Sequence, residues 1–235
     1  MNADKGQLRY ASALTLLIVC ALFLMAHLVY LYLADSRRFP INTVKIAANY
    51  HHISHKQLEV LLEKYSNSSF FSFPVTRLIG ELTALEWTEQ AQVERVWPDI
   101  LKIRLVEKIP AAIWNNALLT ENGHIFNEGG EFTDDLLPRL KGARNQSQEV
   151  LQVYQKMSKI LTIYGLQAAE LEWRKNEAWE LTLSNGVQLR LGKRDLEMRI
   201  NRFCKAYPAV FAAKSEQLAS VDLRYPRGMA VQWKK

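Results

Sequence analysis

"AQVERVWPDILKIRLVEKIPAAIW", residues 91–114, decides how the chain is organised. Ala91, Val93 and Arg95 lead into the turn "WPD" at 97–99, and beyond it Leu101, Ile103 and Leu105 alternate with Lys102 and Arg104. Period-2 patterning on either side of a proline-containing turn predicts two half-buried strands. Upstream, "NTVKI" at 42–46 alternates Val44 and Ile46 with Thr43 and Lys45, a further short strand. Between these strands, "SHKQ" at 54–57 has the form of a capping box, in which the Ser54 hydroxyl and the Gln57 amide each satisfy a free backbone N–H at a helix start. Leu58, Leu61, Leu62 and Tyr65 then form one apolar helical stripe, and Val75, Leu78, Ile79, Leu82 and Leu85 form a second. The order is β-α-α-β-β.

Downstream, Pro110 in "EKIP" marks a boundary. Short strands are expected around "AIWNN" and "HIF", followed by a Gly- and Asp-containing loop at 127–135. A helix is expected over 147–164, with Val150, Val153, Tyr154, Met157, Ile160 and Leu161 on one side and Gly165 at its end. "LEW", "WELTL" and "VQLRL" read as consecutive strands, with "SNG" at 184–186 turning between the last two. A helix over 194–211 carries Leu196, Ile200, Phe203 and Tyr207, and Pro208 kinks or ends it. The fold class is α+β.

Residues 10–34, "YASALTLLIVCALFLMAHLVYLYLA", contain no Asp, Glu, Lys or Arg. As a helix at 1.5 Å per residue this run is about 37 Å long, enough to cross a hydrocarbon core of about 30 Å with some tilt. A cleaved signal peptide would have a shorter apolar core. Tyr30 and Tyr32 suit a membrane interface, and His27 reads as a tolerated polar residue. Lys5 and Arg9 on one flank are balanced by Arg37 and Arg38 on the other, so charge alone does not orient the span. The short first segment, 1–9, beside a long remainder leans toward a cytoplasmic N-terminus.

Composition and residue chemistry narrow the function. The chain of 235 residues carries 30 Lys and Arg against 24 Asp and Glu, a formal +6, and these charges are scattered. No basic face or recognisable module supports nucleic-acid binding. The two cysteines, Cys20 in the apolar run and Cys204 in an expected helix, give no disulfide framework. "HHISH" offers His51, His52 and His55, but His51 precedes the helix start and no Cys or acidic ligand is adjacent, so the stretch reads as a solvated loop. "NEGG" lacks phosphate-loop spacing. Adjacent Asp134 and Asp135 read as a turn rather than an acid/base pair. Trp97 reads as seating its turn on the first domain's core, and Trp114, Trp173 and Trp179 as core residues of strands. No catalytic constellation, cofactor site or metal site emerges, and catalysis by this chain is not expected.

The last candidate is "VDLRYPRGMAVQW", 221–233. Val221, Leu223 and Tyr225 alternate with Asp222 and Arg224, and Met229, Val231 and Trp233 alternate with Ala230 and Gln232, the pattern of a β-hairpin. Tyr225-Pro226-Arg227-Gly228 suits a type I turn, with Gly228 in the left-handed conformation of a bulge. A final strand is expected at a sheet edge, where unpaired N–H and C=O groups invite another strand. Lys234 and Lys235 are charged residues that could guard such an edge. Tyr225 and Trp233 are the aromatics whose burial in their own domain is least assured.

The β-α-α-β-β unit containing "FFSF", Trp97-Pro98 followed by the alternating strand and Glu107, the stretch 110–114, and Asp222-Leu223-Arg224-Tyr225 through Trp233 together resemble the FtsQ/DivIB family of bacterial cell-division proteins. The resemblance runs over essentially the whole chain. It implies a cytoplasmic tail at 1–9, a transmembrane helix at 10–34, a periplasmic POTRA domain at 39–108 and an FtsQ-type β-domain at 109–235. It further implies a bitopic, type II inner-membrane divisome scaffold at the septum, with FtsB and FtsL binding the β-domain. FtsK is the implied contact on the POTRA side, and the synthase pair FtsW and FtsI the indirect output. In the family FtsB adds a strand near this end of the sheet, which singles out Tyr225 first, then Arg224 and Trp233. Gly228 matches a family glycine, while Arg227 and Gln232 stand where the family often has Ser and Gly. Asn176-Glu177 replaces a basic pair of some members, with Arg174 and Lys175 slightly earlier. A POTRA-containing outer-membrane assembly factor is the alternative, opposed by the lack of repeated POTRA modules or barrel strands. A periplasmic enzyme and a purely structural anchor are the other rivals.

Overall fold

A computed structural model describes residues 3–47, 51–130 and 136–234, with side chains from Leu14 onward. Asp134, Asp135 and Lys235 lie outside the described residues. The chain divides into two compact units, Met1–Glu107 and Lys108–Lys235.

The first unit begins with helix α1, Ala3–Ala34. Its segment Leu14–Ala34 is long and apolar enough to cross a membrane, and none of it is buried by the protein. Strand β1 (Thr43–Ala47) follows, then α2 (His55–Glu63), α3 (Val75–Thr83), β2 (Thr88–Val96) and β3 (Ile100–Glu107), in the expected β-α-α-β-β order. The capping box at the start of α2 is present: Ser54 Oγ accepts from the Gln57 N–H at 3.2 Å, and Gln57 Oε1 accepts from the Ser54 N–H at 3.1 Å. The sheet order is β1-β3-β2, with β1 parallel and β2 antiparallel to β3. Leu58, Leu61, Leu78 and Leu82 from the two helical stripes pack on Leu101, Ile103 and Leu105 from the strand. Covering one sheet face with both helices removes these side chains from water, at about 25 cal/mol per Å² of apolar surface. Trp97 does not seat its turn on this core: its side chain is 75% exposed.

The second unit is a nine-stranded mixed sheet, order β12-β11-β10-β9-β8-β7-β4-β5-β6, covered by α4 (Ser147–Ile163) and α5 (Leu196–Ala206). Its strands are β4 (Pro110–Trp114), β5 (Ala117–Thr120), β6 (Ile125–Phe126), β7 (Arg139–Lys141), β8 (Ala168–Trp173), β9 (Trp179–Leu183), β10 (Gln188–Gly192), β11 (Leu218–Asp222) and β12 (Ala230–Trp233). The expected strand at "AIWNN" stops at Trp114, because Asn115 takes a left-handed φ of 50° and turns the chain into β5. "SNG" does turn between β9 and β10, with Gly186 at φ 83° and Asn185 Oδ1 accepting from the Val187 N–H. Helix α5 is shorter than the expected span. It gives way at Tyr207–Phe211 to a wider π-type turn, where Pro208 supplies no N–H for a continued helical ladder. Leu140, Leu161, Leu171, Leu181, Leu189, Phe203 and Phe211 are all essentially inaccessible to water. Trp114 and Trp179 are buried, while Trp173 is half-buried and stacks on Trp179 at 4.7 Å. The observed class is α+β: an apolar helix, a β-α-α-β-β domain and a strand-rich domain with two main helices.

Candidate functional site

Among the described residues, strand β12 has a neighbour on one side only. It pairs antiparallel with β11, Asp222 opposite Ala230, Val221 opposite Val231, Ser220 opposite Gln232 and, after a register shift, Leu218 opposite Trp233. Its other side ends the sheet among the described residues, so alternate main-chain N–H and C=O groups there have no ladder partner. Strand β11 in turn runs parallel to β10, with α5 on the crossover between them. The feature read from sequence as a simple hairpin is thus the last pair of a long sheet.

The hairpin differs from expectation in register and turn. Strand β11 starts at Leu218 and stops at Asp222, so Leu223 and Tyr225 lie beyond the ladder, and residues 223–229 form an open connection rather than a tight type I turn. Gly228 does not take the left-handed conformation, and a Cβ built on it meets nothing within 4 Å. The reason is Arg202 on α5. Its Nη1 donates to the Pro226 carbonyl at 2.7 Å, and its Nη2 donates to the carbonyls of Leu223 at 2.8 Å and Tyr225 at 2.9 Å. A planar fork of donors replaces the cross-turn hydrogen bond that a tight hairpin would use. Arg202 carried no sequence signal, since it reads as one more basic residue on an amphipathic helix.

The connection creates a shallow, mainly apolar groove of about 570 Å³ lined by Tyr225, Pro226, Arg227, Gly228, Met229 and Ala230. Of the expected partner-binding residues, Tyr225, Arg227 and Gly228 come together here, with Tyr225 54% exposed. Trp233 stands at the far end of β12, about 10 Å along the strand at 3.3 Å per residue. It is 42% exposed, with its ring 6.4 Å from that of Phe211. Arg224 turns back onto its own sheet: its Nη2 donates to Asp222 Oδ2 at 2.6 Å and its Nε to Oδ1 at 2.9 Å. The Arg224 guanidinium holds the Asp222 carboxyl below its ordinary range, against the opposing effect of burial. Gln232 Oε1 accepts from the Ser220 hydroxyl at 3.2 Å. Arg174 pairs with Glu180 at 2.6 Å and Glu172 at 3.6 Å, and Lys175 is exposed.

Of the other sequence candidates, the histidine stretch differs from expectation and Cys204 is packed as its helical position predicts. "HHISH" is not merely a solvated loop: the N–H groups of His51, His52 and Ile53 donate to the Glu107 carboxylate at 2.8–3.1 Å. His52 stacks on Trp87 at 3.7 Å and places Nδ1 3.2 Å from Glu107 Oε2. Burial alone would raise the Glu107 carboxyl, but the three backbone donors and His52 hold it down to about 2. Cys204 is fully buried, and desolvation pushes its thiol up to about 11. Among the described residues, no three His, Cys, Asp or Glu side chains are placed to hold a metal ion.

Comparison with known proteins places both units. Residues 39–108 match the family described as POTRA domain, FtsQ-type, and residues 112–224 match the cell division protein FtsQ/DivIB C-terminal family. The cell division protein FtsQ of Coxiella burnetii is 31% identical over 238 residues, covering 99% of this chain and 98% of that protein. That of Shewanella oneidensis is 35% identical over 218 residues, covering 92% and 83%. That of Escherichia coli K12 is 31% identical over 233 residues, covering 96% and 84%. With a single apolar helix long enough to span a bilayer among the described residues, and relatives aligned almost end to end, the chain belongs to the FtsQ family of cell division proteins.

Proposed function

We propose that this protein is a non-enzymatic divisome scaffold that binds FtsB and FtsL through the edge of its second domain and so helps control septal peptidoglycan synthesis. The observation that carries this reading is the unpartnered edge of β12, bracketed by half-exposed Tyr225 and Trp233. An incoming FtsB strand would dock by main-chain hydrogen bonds, with side-chain pockets giving specificity. Strand β12 is only four residues long, so few such bonds are available. At about 0.5–1.5 kcal/mol net for each bond, they cannot offset the cost of association alone. Aromatic anchors worth about 2 kcal/mol or more supply the remainder, which is the role of Tyr225 and Trp233.

In this reading α1 crosses the inner membrane once with its N-terminus cytoplasmic, and both domains are periplasmic at the septum. FtsK meets the POTRA side, and FtsW and FtsI act downstream. The test is calorimetric titration of the full chain in detergent with the periplasmic segment of FtsB, repeated after truncation at Pro226 and after Tyr225→Ala. Unchanged affinity in both variants excludes edge docking. Depletion that neither filaments cells nor removes FtsB and FtsL from the septum excludes the divisome role.

A further inference from the structure

Helix α1 does not hand over to the first domain through a free linker. Its Leu33 carbonyl accepts the hydroxyl of Ser69, which is fully buried, and the Phe70 N–H donates to the Phe39 carbonyl at 2.8 Å. Phe39 packs edge-on against Tyr32 at 5.8 Å and against Phe71 at 5.0 Å. From the end of β2, Arg95 Nη1 donates to the carbonyls of Phe70 at 3.0 Å and Phe71 at 2.6 Å. The β2–β3 turn is fixed to the chain entering β1, because the Asp99 carbonyl accepts the N–H groups of Asn42 at 3.1 Å and Thr43 at 3.3 Å. The segment 69–71 and the turn 97–99 are therefore both tied to the few residues that follow the last turn of α1.

This end of the domain is unlike an ordinary soluble surface. Trp97 is 75% exposed and its neighbour in sequence Val96 is exposed too, as is Phe71 in the 69–71 segment. Large aromatics that keep one wet and one apolar side are the side chains enriched where a bilayer meets water. The charges fit the same place. Arg38 is matched by Asp35 at 3.1 Å and lies over the Tyr32 ring at 4.7 Å. Arg37 is exposed, and its side chain has no partner among the described residues. The Asp99 carboxylate accepts a hydrogen bond from Asn42 Nδ2, and the Arg95 guanidinium lies against the Phe70 and Phe71 carbonyls. The basic pair, which does not help to orient the helix, follows closely on the membrane-length segment Leu14–Ala34.

We propose that the segment 69–71, the 96–99 turn and Arg37 form a phospholipid-docking collar, with Trp97 seated at the headgroup–acyl boundary and Arg37 on the phosphate of an anionic lipid. The proposal rests on α1 spanning the bilayer, and on continuity between the end of that helix and the aromatic, cationic surface around it. It does not depend on FtsB binding.

The experiment reconstitutes the full chain in vesicles of phosphatidylcholine with about a third phosphatidylglycerol, an anionic surface that attracts juxtamembrane cations. Tryptophan emission is read with and without lipids brominated near the carbonyl end of the acyl chain. Trp87 lies at the opposite end of the nine-residue strand β2, about 30 Å away, and serves as the internal control. Expected are bromolipid quenching that Trp97→Phe removes almost completely and Trp87→Phe leaves intact, and a fall in that quenching when phosphatidylglycerol is omitted or Arg37 is changed to Gln. Quenching that survives Trp97→Phe, or that ignores both phosphatidylglycerol and Arg37, overturns the collar. Retention of the chain on vesicles through alkaline carbonate reports the span separately, so loss of quenching in retained protein counts against the collar alone.

Discussion

Arg202 holds the backbone of Tyr225: the guanidinium Nη2 on α5 donates to the Tyr225 carbonyl at 2.9 Å, and the same group grips Leu223 and Pro226. The groove proposed above to take FtsB is thus shaped from behind, by a residue of α5. Arg202→Met is expected to loosen residues 223–229 and to weaken FtsB-segment binding by about 2 kcal/mol, the scale of hydrogen bonds to a charged donor. Arg202→Lys restores the charge but not the three-carbonyl fork, and is expected to rescue little. Titration calorimetry together with amide exchange of the connection checks both variants.

The two aromatics proposed as anchors, Tyr225 and Trp233, separate by their expected effect on stability. Tyr225→Ala removes a side chain that is more than half exposed, so it is expected to cost about 2 kcal/mol in binding, roughly 30-fold in Kd, with little change in Tm. Trp233→Ala also removes the ring packed near Phe211 and is expected to lower both affinity and Tm. Parallel melting and binding curves distinguish the two.

Gly228 offers a sharper test of the turn. With ordinary backbone angles and open space where a Cβ would lie, Gly228→Ala is expected to leave folding stability within about 0.5 kcal/mol of wild type. A drop in Tm as large as that of a left-handed glycine would restore the tight-turn reading. Any loss confined to binding would mean that the partner's backbone approaches this residue.

The Glu107 carboxylate makes the first domain acid-sensitive in a definite window. Its carboxyl is depressed from 4.5 to about 2 in the folded chain, so its contribution is fully present above about pH 4.5 and is lost as pH falls toward 2. Glu107→Gln is expected to cost about 2 kcal/mol at neutral pH and to flatten the acid side of the stability profile between those limits. Chemical denaturation at a series of pH values, followed by Trp87 fluorescence, measures it.

Cys204 reports on the second domain without perturbing it. A buried thiol pushed up to about 11 presents almost no thiolate at neutral pH, so a maleimide is expected to label it only at the rate of global opening. Labelling as fast as that of a free thiol would contradict the packing described for α5.

The sequence was most readable where one period ran uninterrupted. The alternation of Leu101, Ile103 and Leu105, the stripe through Leu58 and Leu61, and the Ser54–Gln57 box each identified an element that the structure contains. It was least readable where position depended on distant partners. Strands β5 and β7 are short, and β7 is held between β4 and β8 by parallel pairing that no local turn announces. Strand β11 stops at Asp222, where the Asp222 carboxylate accepts the Arg224 N–H at 3.0 Å and Arg202 reaches across from α5 to the carbonyls of Leu223 and Tyr225. Glu107 entered only through the family resemblance, and its three backbone donors come from residues more than fifty positions earlier. Trp97 looked like a core tryptophan because proline-flanked indoles often pack. The turn that follows the last β2–β3 pair, Val96 opposite Ile100, leaves the Trp97 side chain outside.

The single-sided ladder of β12 has a kinetic corollary. A four-residue strand bonded, among the described residues, to β11 alone is expected to open and close far more often than the rest of its sheet, and an added strand would turn it from a margin into an interior row. By mass action, the fraction of time β12 is closed would then rise with the concentration of its partner. The slowing of amide exchange at Val231 would serve as a gauge of assembly, readable within this chain without a label on the partner.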